Sequence, residues 1–106
     1  MKKFTNVTAD SVANIYFDGK VVSHAVYAED GSKKTLGVIF PGDFRFDTEA
    51  AEIMEISAGS CEIVIDGTDT KKTVSAGEAF NVDANSGFTI AVKEGVCQYI
   101  CSYIKG

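Results

Sequence analysis

Histidine and proline are almost missing from this chain of 106 residues, which has one of each, His24 and Pro41. A single imidazole excludes the multi-histidine ligand sets on which many catalytic divalent-metal sites rest. No apolar run approaches the roughly 20 residues that a helix needs to cross a bilayer, so no membrane partner is expected. The first residues, MKKFTNVTAD, carry two lysines with no apolar stretch behind them, and a secretory leader is not expected. Basic charge is also short. Lys and Arg number 10 against 15 Asp and Glu, for a formal net charge of −5. That balance disfavours nucleic acid and anionic lipid as partners. It also obliges any anionic substrate to find a local cationic spot. Cysteines are three, Cys61, Cys97 and Cys101. An odd, sparse set implies reduced thiols and a cytoplasmic location. Cys97 and Cys101, four apart, share one face of a strand and read as small buried hydrophobes. No sustained 3.6-residue period exists, and the best helical stretch, Thr48 to Met54, is too short to stand alone.

What the chain does have is glycine, 10 residues of it, among many β-branched and aromatic residues. Short apolar runs separated by turn signals recur roughly every eight to twelve residues, the spacing of an all-β sandwich or barrel. Asp18-Gly19, Asp30-Gly31-Ser32, Pro41-Gly42-Asp43, Ala58-Gly59, Asp66-Gly67, Ala76-Gly77 and Glu94-Gly95 mark the turns. Between them lie about ten short antiparallel strands, with residues 1–12 as an arm or early edge strand, in a single domain spanning 1–106. Gly37, inside the strong strand Lys34–Phe40 (KTLGVIF), marks a bulge or the close approach of a ligand or another strand.

Pro41 to Gly59 (PGDFRFDTEAAEIMEISAG) organises the rest. Its Glu-x6-Gly spacing, Glu52 to Gly59, resembles the first signature of the cupin β-barrels, in which two histidines and a glutamate hold a metal. Phe46 and Thr48 occupy the histidine positions. The second cupin signature is matched in spacing from Gly77. Its proline, glycine, histidine and asparagine positions hold Asp83, Asn85, Phe88 and Val92. Glu52 alone keeps a ligand-type side chain, and one carboxylate without His or Cys partners is a poor divalent site. The expectation is therefore an all-β, cupin-like antiparallel barrel (double-stranded β-helix or jelly roll) without a metal.

The expected mouth presents Phe46, Thr48, Glu52, Asn85, Ser86 and Phe88. Phe46 and Phe88 form an apolar wall for a flat ring. Their other reading is as core filling, because small barrels are filled by side chains. Thr48, Glu52, Asn85 and Ser86 supply partners for hydroxyls and amides. Such a pocket suits a small, neutral, polyhydroxylated aromatic molecule.

Several segments together resemble the small bacterial pyrimidine/purine nucleoside phosphorylases. They are Asn14–Val21 (NIYFDGKV), Gly31–Val38 (GSKKTLGV), Pro41–Thr48 (PGDFRFDT), Glu52–Gly59 (EIMEISAG), Ala76–Val82 (AGEAFNV), Asn85–Phe88 (NSGF) and Tyr99–Tyr103 (YICSY). The order and spacing carry the likeness from about residue 14 to the end. The chain departs from the pattern at Asp83, where a proline is frequent, and at Phe44, where a tyrosine is common. The resemblance implies a metal-free, dimeric cupin that splits nucleosides with inorganic phosphate as co-substrate and needs no cofactor. Under that reading Glu52, Thr48 and Asn85 are the catalytic candidates. Phe46, Phe88, Ser86 and Tyr16 are substrate-binding candidates, with Lys20 and Lys34 for the phosphate. Alternation points Arg45 away from Thr48, onto an outer face. The rival reading is a non-catalytic cupin module that binds a small sugar or nucleotide.

Overall fold

A computed structural model describes residues 2–104. The chain forms β1 (Thr8–Ala9) and β2 (Asn14–Tyr16), a single 3-10 turn over Phe17–Gly19, then β3 (Val21–Tyr27) and β4 (Lys33–Ile39). There follow β5 (Gly42–Asp47), β6 (Glu52–Ala58), β7 (Ser60–Ile65), β8 (Lys72–Ser75), β9 (Ala79–Val82), β10 (Gly87–Val92) and β11 (Cys97–Tyr103). The expected turn signals fall at strand ends or between strands, and β1 lies in the expected N-terminal arm.

All pairings are antiparallel and fall into two sheets. The larger has the order β1-β3-β4-β11-β6-β9, with β2 also paired to β3, and the smaller has the order β5-β10-β7-β8. The sheets are not closed into the expected barrel. They face one another as two layers, and the chain passes between them at turns rather than by a shared strand. The β4–β5 passage runs through Pro41, which has no N–H to continue a ladder. The β6–β7 passage runs through Gly59, at φ +77°, where a Cβ would lie 2.3 Å from the Val96 carbonyl oxygen. That position admits only glycine.

Strict alternation decides what fills the space between the layers. On β4, Thr35, Gly37 and Ile39 are buried while Lys34, Leu36 and Val38 face out. On β6, Met54 and Ile56 point inward and Ile53 and Ser57 outward. Ser57 has no partner where the β6–β11 register shifts, between the Gln98–Ala58 and Tyr99–Ile56 pairs. The interlayer core includes Val21, Ile39, Phe44, Ile56, Ile63, Ile90, Val92 and Cys97. These side chains fill one end of the space. The other end, where β11 and β5 finish and β4, β6 and β10 begin, is lined by polar groups and is partly empty.

Candidate functional site

A cavity of about 280 Å3 occupies that polar end. Phe46 and Phe88 line its small-sheet side, and Glu52, Thr35, Tyr99 and Tyr103 line the large-sheet side. Phe46 and Phe88 are direct partners across β5 and β10. Their rings stack with centroids 5.6 Å apart and planes inclined by 23°. Phe80 meets Phe88 edge-on at 5.3 Å, and Phe17 meets Phe46 edge-on at 5.6 Å. Phe88 is 1% exposed. It is thus both core residue and cavity wall, so the two readings of this ring are not exclusive. Phe17 and Asp18 adopt φ of +53° and +56°, a strained conformation for two adjacent residues with side chains. That turn is what delivers Phe17 onto Phe44 and Phe46.

Glu52 opens β6 and faces Tyr103 across the β6–β11 pair. Burial pushes its carboxyl above the usual carboxylate range, against a hydrogen bond from the Cys101 thiol. The Cys101 thiol is pushed up to about 12, by burial first and by the nearby Glu52 charge second. Burial likewise raises the Tyr103 hydroxyl to about 12, and Thr35 hydrogen-bonds to it. Tyr99 is 7% exposed. Burial raises its hydroxyl well above the ordinary phenol value, and Ser23 is its hydrogen-bond partner. Both phenols are therefore protonated at neutral pH and available as donors.

Tyr99 sits where it does because Gly37 faces it across β4 and β11. A Cβ at Gly37 would lie 2.2 Å from the Tyr99 ring. The close approach expected at Gly37 is that of this side chain.

The cavity unites four of the expected residues, Tyr16, Phe46, Glu52 and Phe88. Thr48, Asn85 and Ser86 are not among its lining: Asn85 and Ser86 lie in the turn that leads into β10, and Thr48, just after β5, packs against that turn. Thr48 is buried and spends its hydroxyl on that turn. It donates to the Asp83 carbonyl at 2.6 Å and accepts from the Ser86 N–H at 3.0 Å. Asn85 is exposed, and its positive φ of +53° turns the chain. Lys20 lies near the far end of β4, where its carbonyl accepts from the Phe40 N–H at 2.8 Å. Lys34 faces outward and donates to the Ser102 hydroxyl at 2.7 Å. Arg45 is outward too. Its guanidinium grips Asp66 through two bonds, of 2.9 and 2.6 Å, and Asp47 at 3.0 Å.

Lys33, Thr35, Tyr99 and Tyr103, which the sequence does not single out, line the cavity as well, as does Cys101, expected only as a small buried hydrophobe. The signal was alternation. Tyr99 and Tyr103 share the face of Cys97 and Cys101, and Lys33 shares that of Thr35 and Gly37. A strand beginning at Lys34 hides Lys33. His24 is outside the site, its ring nitrogen 3.1 Å from the Asp10 carbonyl oxygen on β3's exposed side. Among the described residues, no group of three or more His, Cys, Asp or Glu is placed to hold a metal ion.

Residues 11–103 match the family model described as pyrimidine/purine nucleoside phosphorylase. A pyrimidine/purine nucleoside phosphorylase of Hydrogenovibrio crunogenus is 54% identical over 104 residues, 98% of this chain and 99% of the relative. One from Syntrophotalea carbinolica is 49% identical over 105 residues, 99% of this chain and 100% of the relative. A crystal structure of an Acinetobacter protein of unknown function superposes with a TM-score of 0.93 at 40% identity, covering 96% of this chain and 98% of that one. The cavity found between the sheets thus lies in a fold shared along nearly the whole chain, which belongs to the pyrimidine/purine nucleoside phosphorylase family.

Proposed function

We infer that this protein cleaves purine and pyrimidine nucleosides with inorganic phosphate, releasing free base and ribose or deoxyribose 1-phosphate. The observation that carries this reading is the meeting, in one cavity of about 280 Å3, of a stacked phenylalanine pair with a half-buried carboxylate. The aromatic pair offers a face to any flat base. Stacking tolerates purines and pyrimidines alike, because every base has a π-face. Glu52, across the cavity, accepts from the ribose hydroxyls and steadies the positive charge that grows on the sugar as the glycosidic bond breaks.

In the step itself, a phosphate oxygen forms a bond to C1′ while the C1′–N bond breaks. The base leaves with the bonding electron pair and takes a proton. Tyr99, protonated and on Glu52's side of the cavity, is the donor assigned to that need. Thr48, Asn85 and Ser86 support the reaction by fixing the turn before β10, and so the position of Phe88. The reaction draws on no cofactor beyond phosphate and no metal ion.

The working form is read as a cytoplasmic homodimer. Val12 and Ile15, 80% and 65% exposed, leave apolar surface beside the β2 edge for a second copy. The test is release of uracil from uridine and hypoxanthine from inosine by purified protein. Release that requires phosphate supports the enzyme. Nucleoside binding with no release under any condition would favour the non-catalytic module instead.

A further inference from the structure

The phosphate of this proposed reaction needs a cation, and the chain's net charge of −5 obliges that cation to be placed locally. The charges at the cavity are two carboxylates, Asp47 and Glu52, and one amine, Lys33. No other Lys or Arg among the described residues lines the cavity, and several are committed elsewhere. Arg45 is held by Asp66 and Asp47, Lys93 by Glu62, and Lys2 by Glu55. Lys34 donates to Ser102 on the outer face. Lys33 makes no ion pair among the described residues. Its ammonium instead lies 5.4 Å from the centroid of the Tyr103 ring.

Placement follows from the sheet. β4, β11 and β6 are successive neighbours. Lys33, Tyr103 and Glu52 stand at the cavity end of the three, with Tyr103 and Glu52 in register. Neighbouring strands are about 4.8 Å apart, so amine and carboxylate are separated by about 10 Å of backbone with a phenol between them. Thr35, two residues along β4 from Lys33 and on the same face, adds a hydroxyl that hydrogen-bonds to Tyr103. The aromatic pair lies across the cavity on the other sheet. The arrangement thus offers a cation and hydroxyls, a carboxylate beside them on the same sheet, and a ring platform on the facing one. It matches phosphate, ribose and base.

The geometry points to Lys33, with the Thr35 and Tyr103 hydroxyls, as the subsite for the attacking inorganic phosphate. This rests on the phosphorolysis reading above. An ammonium on a flexible stem suits the task, since it serves as a point charge for phosphate and the tyrosine ring confines its swing.

The test is steady-state kinetics of the full chain with inosine and uridine, varying phosphate and nucleoside separately. Wild type, Lys33→Met, Lys33→Arg and the charge-matched control Lys72→Met, on the distant edge strand β8, are compared. Lys33→Met is expected to raise the KM for phosphate by about 10- to 100-fold, the loss of a charge-assisted contact. Its KM for nucleoside stays within about twofold of wild type, while Lys33→Arg restores most of the phosphate affinity and Lys72→Met changes neither constant. An unchanged phosphate KM in Lys33→Met overturns the subsite and leaves the phosphorolysis reading standing. If wild type releases no base, calorimetric titration with inorganic phosphate decides the matter. Binding by wild type that Lys33→Met loses keeps the subsite while the reaction falls. Equal binding by both, or none by wild type, overturns the subsite.

Discussion

The two ends of the space between the sheets are made from the same strands and have opposite character. At one end Ile39, Phe44, Ile63, Val92 and Cys97 close the gap with apolar atoms. At the other, the same strand faces carry Lys33, Glu52 and Tyr103 around a cavity. On β4 the change takes seven residues, from Lys33 to Ile39, and on β11 it takes seven, from Cys97 to Tyr103. The difference teaches how a small all-β chain divides labour. The filled end supplies the burial that makes the fold stable, and stability gathered there lets the other end keep a half-buried carboxylate without an ion-pair partner among the described residues.

The sharpest way to break that comparison is to damage the filled end alone. Ile63 is 1% exposed, and Ile63→Ala should cost about 2–5 kcal/mol of stability through lost burial and a residual cavity. Denaturant unfolding measures the loss, while kcat/KM of the folded fraction at low temperature stays near wild type. The converse variant is Glu52→Gln. It should lower kcat/KM by about 100-fold or more, the scale for removing one preorganised charge contact. Its stability should move the other way. Because burial holds the Glu52 carboxyl above its ordinary 4.5, the protonated form is favoured by folding. That contribution is complete below 4.5 and is lost as pH rises through the raised value. At pH 7, therefore, Glu52→Gln should melt no lower than wild type, with the advantage vanishing in acid. The wild-type rate should also fall on the acid side with a midpoint above 4.5, where the carboxylate takes its proton.

A smaller effect is expected from Gly37→Ala. The new methyl would overlap the Tyr99 ring, so the phenol that lines the cavity must shift. Loss of kcat/KM by about 10- to 100-fold, with the protein still folded by circular dichroism, is the expected result. The mildest is Phe46→Leu, which keeps an apolar side chain but removes the face for a base. The nucleoside KM should rise by about fivefold, the lower end of what one stacking contact contributes, and rise for uridine and inosine alike. A rise confined to one of the two would show that the platform reads the base rather than merely holding it.

The strands were legible because turn residues and alternation are local signals. β5 is the clear example. Phe44 and Phe46 inside with Arg45 outside follows from a period of two and nothing more. The separation into two unclosed sheets was not legible. Closure depends on which edges meet after the chain has turned at Pro41 and Gly59, and no local pattern encodes that. The site divides the same way. Phe46 and Phe88 stand out because their side chains are unusual for a matched spacing, and Glu52 because it alone keeps a ligand-type side chain there. Thr48 stood out equally, yet the structure commits its hydroxyl to the Asp83 carbonyl, a pairing 35 residues away that the sequence does not announce. Tyr99 and Tyr103 were hidden in plain view among ordinary strand residues. What gives them their place is a cross-strand glycine in one case and a buried carboxylate in the other, both known only once the register is known.

The turn before β4 has a consequence out of proportion to its size. Ala28 to Ser32 is closed by the Ala28 N–H to the Ser32 carbonyl and the Gly31 N–H to the Ala28 carbonyl, each at 2.9 Å. The Ser32 N–H adds a bond to the Asp30 carboxylate at 2.8 Å. This turn sets the reading frame of the strand that follows. Lys33 and Lys34 are the same residue type and sit side by side, and only that frame decides which amine enters the cavity. Loss or gain of one residue in the turn would bring Lys34 inside, turn Thr35 out and slide Gly37 away from the Tyr99 ring, all at once. Loop length here is therefore quantised. Changes of two residues preserve the phase of β4, and changes of one invert its chemistry while leaving its composition untouched.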